Sequence, residues 1–252
     1  MLPRYPKKVN RLNNLIKPKK EEPIVQPIES NVIKTTREAF LKNKKIQKDF
    51  EEGNFTEIDF FLKYSGKEAL NYALEWTAFH GQIELVKQTI NAGANIHADN
   101  DVALQMACEN GHLNIVIYLI SIGARINAAN SSPLLRAIDG KHADIVKYLL
   151  EYKINNNRIC DLHAEHDNAL RTAVTNGQYD IVKLLIENGA DINVLDQYVL
   201  KSAAGYGYYD IVKLLIESGI DASAIPEAIE YAKKSKHDVI VTYLESISNN
   251  TN

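Results

Sequence analysis

The chain repeats itself, and a chain that repeats at a short fixed period is confined to arrays in which each unit packs on the next. Adjacent aliphatic pairs recur at Leu85-Val86, Ile115-Val116, Ile145-Val146, Ile181-Val182, Ile211-Val212 and Val239-Ile240, with gaps of 30, 30, 36, 30 and 28 residues. A longer frame returns with them. Residues 103–127 match residues 169–193 in their leading Ala-Leu, turn glycine, aliphatic pair and closing Gly-Ala.

Each frame reads as two helices. Leu170, Ala173 and Val174 give a short inner helix whose alanines permit close approach to its neighbours. Gly177 supplies the positive φ of a tight turn. Asp180 follows, with Glu84, Asp144, Asp210 and Asp238 in the matching places, where a carboxylate can cap free N–H groups and oppose the helix dipole. Ile181, Val182, Leu184, Leu185 and Ile186 form an outer helix that is apolar over most of its circumference because neighbours cover it on both sides; Gly189 ends it. No single unit can bury its faces, but six stacked units can.

Gly-His-Leu-Asn-Ile-Val (111–116) and Ile-Glu-Asn-Gly-Ala-Asp-Ile-Asn (186–193) resemble the ankyrin repeat, and the likeness runs over about residues 70–245. It implies an all-α solenoid of stacked helix–turn–helix units joined by short β-hairpin connections. It also implies a non-catalytic scaffold that binds another protein through its concave groove. The family period of about 33 residues is shortened here to 30, with the loss falling between repeats, so the hairpin fingers are expected to be trimmed, as at residues 98–101. Of the family's Gly-x-Thr-Pro-Leu-His opening only the leucine recurs, as Leu74, Leu104, Leu134, Leu170 and Leu200. Trimmed units of this kind are similar to the ankyrin proteins of giant DNA viruses of amoebae (mimivirus-like). The abundance of Ile, Asn, Lys and Tyr, all encoded by AT-rich codons, agrees with that source.

Two repeats depart from the frame. Lys141 stands at the turn-glycine position with Gly140 one residue early, so either the turn is longer or a lysine takes a positive φ. The 36-residue gap that follows inserts six residues, placed within 155–167 and expected as the one long finger; Lys153 replaces the glycine that ends the outer helix. In the last unit, 226–245, Ser235 is read at the turn-glycine position, and Lys233, Lys234 and Lys236 as a solubilising cap.

The expected organisation is a disordered basic arm over 1–35, carrying five of seven prolines, then a solenoid over 36–247 and a disordered tail over 248–252. Within the solenoid a degenerate unit at 36–66 precedes repeats at about 70–98, 99–128, 129–165, 166–195 and 196–222, with a C-terminal cap at 223–247. Charge divides the same way: residues 1–50 hold 13 Lys and Arg against 5 Asp and Glu, whereas the rest holds 16 against 27. A basic arm can touch nucleic acid, so an adaptor tethered through residues 1–35 is the second reading. The opening residues lack a signal-peptide apolar run, and no stretch reaches the ~18 apolar residues of a spanning helix. With only Cys108 and Cys160, the expectation is a soluble intracellular monomer with reduced thiols and no membrane association. A viral source places it in the host-cell cytoplasm, with the nucleus left open.

Chemistry-bearing patterns are sparse. Cys160-x-x-His163-x-x-His166 offers three side chains of zinc-ligand type, but lacks the paired spacing of structural zinc sites, so a polar loop is the favoured reading. Cys108 fills the core position held by Ala78, Ile138, Val174 and Ala204, and His112 and His142 occupy the slot after the turn, where a structural hydrogen bond is expected. There is no nucleophile frame and no phosphate-cradling loop, so neither catalysis nor a cofactor is expected. Recognition is expected instead at the two positions before each turn glycine, which vary while the scaffold does not. These are Phe79 and His80, Glu109 and Asn110, Asp139 and Gly140, Thr175 and Asn176, and Gly205 and Tyr206. Phe79 and Tyr206 are the expected anchors, since aromatics dominate hot spots, and Trp76 is expected to pack between repeats. Unconstrained surface is the alternative reading of these positions.

Overall fold

The computed structural model describes residues 67–155 and 157–250. The basic arm and the degenerate unit expected over 36–66 lie outside the described residues. Helices alternate as the sequence demands. The inner row is α1 (Lys67–Phe79), α3 (Val102–Glu109), α5 (Ala128–Asp139), α7 (Ala164–Thr175), α9 (Val194–Tyr206) and α11 (Ile225–Lys234). The outer row is α2 (Ile83–Asn91), α4 (Leu113–Ser121), α6 (Ala143–Glu151), α8 (Tyr179–Glu187), α10 (Tyr209–Glu217) and α12 (Asp238–Asn250). The fold is an all-α solenoid.

Each inner helix packs on the next inner helix and on its own outer helix, and the inner row is the more tightly stacked. The cause is side-chain size. Ala73, Ala103, Ala107, Ala137, Ala173, Ala203, Ala228 and Ala232 are buried along the inner row, whereas Leu85, Ile115, Leu119, Ile145, Leu149, Leu185 and Leu215 hold the outer row apart. Fully burying one such leucine or isoleucine is worth ~1.5–3 kcal/mol, so stability is distributed along the whole array.

The aliphatic pair fixes the register of each outer helix, and in the last repeat it is Ile240-Val241 rather than Val239-Ile240. Val239 is 70% exposed while Ile240 is buried. The positive φ there belongs to Lys236 (62°), not to Ser235. The expected anchor is therefore one residue early, because the run Val239-Ile240-Val241 fits the aliphatic frame in two registers and burial selects the second.

The first-turn carboxylates also act differently from expectation. Glu84, Asp144, Asp180 and Asp210 lie in the first turns of their helices, but the N-cap positions belong to Gln82, His142, Gln178 and Tyr208, and no side chain caps. The acids oppose the dipole without a capping bond. The residue at the cap instead turns backwards to the preceding repeat. Ring nitrogen Nε2 bonds a carbonyl in three cases: His112 to Phe79 (2.8 Å), His142 to Glu109 (3.1 Å) and His237 to Gly205 (3.2 Å). Gln178 Nε2 donates to Ile138 O at 2.7 Å and Tyr208 Oη to Thr175 O at 3.4 Å. The structural role expected of His112 and His142 thus extends to every described junction.

The same rings explain the turn glycines. Gly111 has φ +80°, and a Cβ there would lie 2.5 Å from the His142 ring. His112, Tyr208 and His237 crowd Gly81, Gly177 and Gly207 in the same way. Lys141 keeps the turn length and adopts φ 64°. It can carry a Cβ because the residue reaching it from the next repeat is Gln178, a slim amide in place of a ring. Lys236 likewise adopts φ 62°. Gly140 is required for another reason: a Cβ there would sit 2.1 Å from the Glu109 carbonyl oxygen.

The insertion forms a two-stranded antiparallel hairpin, β1 (Lys153–Ile154) and β2 (Asn157–Arg158), the only strands among the described residues. It is shorter than expected. Cys160 is buried at the place held elsewhere by Ala94, Ala124 and Ala190, so residues 160–167 already belong to the regular frame.

Candidate partner-binding surface

The sequence-selected pairs fall at one recurring place. Phe79, Glu109, Asp139, Thr175 and Tyr206 are each the last residue of an inner helix, and Asn110, Gly140 and Asn176 are C-caps. Because α1, α3, α5, α7 and α9 stack in order, these residues line one edge. Their backbone is held by the cross-repeat bonds, which use the carbonyls of Phe79, Glu109, Thr175 and Gly205. The side chains are left to vary on a fixed frame.

The two ends of the edge are aromatic. Phe79 is 44% exposed and meets His80 edge-on at 4.8 Å, while His80 stacks on Trp76 at 3.7 Å and bonds its carbonyl through Nδ1 at 2.9 Å. Trp76 itself is buried. Tyr206 is 59% exposed and stacks against Tyr208 at 5.9 Å. Four inner-helix spacings of ~8–10 Å separate these anchors, on the order of 35 Å. Between them Glu109 pairs with Arg136 of the next repeat at 3.3 Å. Asn110 and Thr175 bond back to the carbonyls of Met106 and Thr172, and Asp139 and Asn176 are exposed. The corrected register adds Lys234, the sixth-repeat equivalent of Glu109, which lies over the exposed Tyr231 ring at 5.6 Å. His237, in the slot of His112 and His142, was the sequence signal for that register.

The zinc-type residues are dispersed. Cys160 is packed in the core, and His166 is exposed with φ 58°. His163 Nδ1 bonds Asp167 Oδ1 at 3.0 Å, and Asp167 also accepts from Asp191 N at 3.0 Å. Among the described residues no three His, Cys, Asp or Glu side chains converge as a metal site. His97 and Asp101 repeat this arrangement two repeats earlier: His97 Nδ1 bonds buried Asp101 at 2.9 Å, and Arg125 reaches the same carboxylate with its backbone N at 3.0 Å and Nε at 2.7 Å. In both places, and at 129–131, three successive non-glycine residues take left-handed φ. His-Ala-x-x-Asp, at 97–101 and again at 163–167, is therefore a junction lock. Burial pushes the Cys108 thiol well above the ordinary thiol range, as its core position requires.

A family model for ankyrin repeats matches residues 70–160, 130–196 and 156–226. The human ASB11 ankyrin repeat domain superposes with a TM-score of 0.58 at 24% identity, over 69% of this chain and 82% of that one. The ankyrin repeat domain of Bcl-3, a member of the IkappaB protein family, gives 0.53 at 22% identity, over 72% of this chain and 89% of that one. No curated protein sequence matches. No described helix is long and apolar enough to cross a membrane. With the family model spanning well over half its length, the chain belongs to the ankyrin repeat proteins.

Proposed function

We propose that this protein is a non-enzymatic scaffold that captures another protein along the inner-helix edge, with Phe79, His80, Glu109, Asn110, Asp139, Thr175, Asn176 and Tyr206 making the contacts. Ankyrin repeats generally mediate protein–protein interactions. The observation that carries the reading is the pairing of a fixed backbone with variable side chains, exposed at Phe79, His80, Asp139, Asn176 and Tyr206 and half-buried at Glu109, Asn110 and Thr175, that end in aromatic anchors. Tighter stacking of the inner row favours a concave groove on that side. Replacing the eight residues together by alanine should abolish capture of the native partner, identified by affinity capture from its own cell, without lowering thermal stability. Undiminished capture by the octuple variant sinks the assignment.

The charge split supports a second reading, an adaptor whose residues 1–35 tether it to nucleic acid. Such binding weakens steeply with salt. A chain lacking residues 1–35 that binds DNA and RNA as well as the intact chain, or an intact chain that binds neither at low salt, rules it out. The 30-residue spacing and the Ile/Asn/Lys/Tyr bias support a source among giant DNA viruses of amoebae, and with it a monomeric scaffold of the host-cell cytoplasm, the nucleus being left open.

A further inference from the structure

Helices α8 and α10 carry the same nine residues, Tyr-Asp-Ile-Val-Lys-Leu-Leu-Ile-Glu, at 179–187 and 209–217. Their buried sets are equivalent: Ile181, Val182 and Leu185 against Ile211, Val212 and Leu215. Their outer surroundings differ. The first tyrosine of α10, Tyr209, is met from the following helix by Tyr243, edge to face at 5.5 Å. Tyr179 stands in the equivalent place on α8, and the residue corresponding to Tyr243 is Leu214. The shorter side chain leaves a cleft of about 240 Å³, lined by Tyr179, Asp210, Lys213, Leu214 and Glu217.

That volume falls below the ~300–1,000 Å³ of small-molecule pockets and suits one side chain. The neighbouring junction shows which kind, because there the phenol ring of Tyr243 lies against Tyr209. The rim sets the charge. Lys213 pairs with Glu217 at 3.7 Å and Lys183 with Glu187 at 4.0 Å, which leaves Asp210 and Asp180 without an ion-pair partner among the described residues. We propose that this outer-face cleft is a second docking site, separate from the inner-helix edge, for a protein segment that inserts an aromatic ring beside a lysine or arginine. The ring lies between Tyr179 and Leu214, and the cation meets Asp210.

Tyramine, a phenol with an ammonium two carbons away, is the minimal probe. In NMR titrations of the whole chain it should saturate shifts at Tyr179, Leu214 and Asp210. N-acetyl-tyrosinamide should need about tenfold more ligand for the same shifts, and 3-(4-hydroxyphenyl)propionate should leave them unmoved. Leu214→Tyr, which copies the arrangement at Tyr243 and so keeps the fold, should abolish the tyramine shifts. Asp210→Lys should reverse the order of tyramine and the propionate. Tyramine shifts that persist in Leu214→Tyr, or no saturable shift at millimolar tyramine, overturn the proposal. So does a dimer of the unmodified chain that Leu214→Tyr disperses, since a second copy would then be the occupant.

Discussion

The turn at Gly111 and the turn at Lys141 have the same length and the same left-handed backbone, yet one holds a glycine and the other a long cationic side chain. The difference lies in the next repeat. His142 drives an imidazole against Gly111, with room for no Cβ, whereas Gln178, at the equivalent place in the repeat after Lys141, carries an amide in place of the ring and donates to Ile138 O. A turn residue in a stacked array is therefore chosen by a side chain more than thirty positions later, and positive φ is only half of what glycine supplies.

The largest effect should come from forcing the first turn to behave like the second. Gly111→Ala combines about 1–2 kcal/mol of left-handed strain with an overpacked ring contact of about 1–3 kcal/mol. Urea unfolding should show a loss of about 2–5 kcal/mol, and a loss below about 1 would mean the His142 ring moves freely. The reverse exchange sharpens the comparison. Gln178→His should destabilise by about 1–3 kcal/mol because its ring meets the Lys141 Cβ, and adding Lys141→Gly should restore stability. A coupling energy below about 0.5 kcal/mol in that double-mutant cycle breaks the link between the two positions. Lys141→Gly alone exchanges left-handed strain for unfolded-state entropy, so the melting transition should shift upward by no more than about 1 kcal/mol equivalent. Smallest of all, deleting residues 154–159 joins Lys153 to Cys160 and restores the 30-residue spacing. The loop becomes shorter, and besides the hairpin's own pairing and Ile159 N to Tyr152 O the deletion removes one cross-repeat bond, Asn127 Nδ2 to Ile159 O, so stability should stay within about 1 kcal/mol of the parent. A larger loss would make the hairpin part of the scaffold.

What the sequence disclosed follows the same division. Helix pairs, core positions and the variable edge were legible because each depends on residues within one repeat: Leu170 with Ala173, Ile181 with Leu185, Thr175 with Asn176. Features set across repeats were harder to read. Lys141 left two turn geometries open because Gln178 decides between them. Val239-Ile240 looked like a register anchor because both residues are aliphatic, and only packing against the fifth repeat selects Ile240-Val241. The inserted segment was drawn too long because the likeness of His163-Ala-Glu-His-Asp167 to His97-Ala-Asp-Asn-Asp101 is weak in identity and strong in geometry. The eight edge residues were chosen by position alone, and a partner of the proposed kind would belong to another molecule and leave no trace in this chain.

The backward-reaching bonds from His112, His142, Gln178, Tyr208 and His237 give the array a direction. In all five of these turn bonds the later repeat supplies the side chain and the earlier one the carbonyl. During synthesis, at about 5–20 residues per second, each new unit therefore emerges every few seconds onto a neighbour whose waiting carbonyl is already set. Growth from the amino end needs no rearrangement of what has formed.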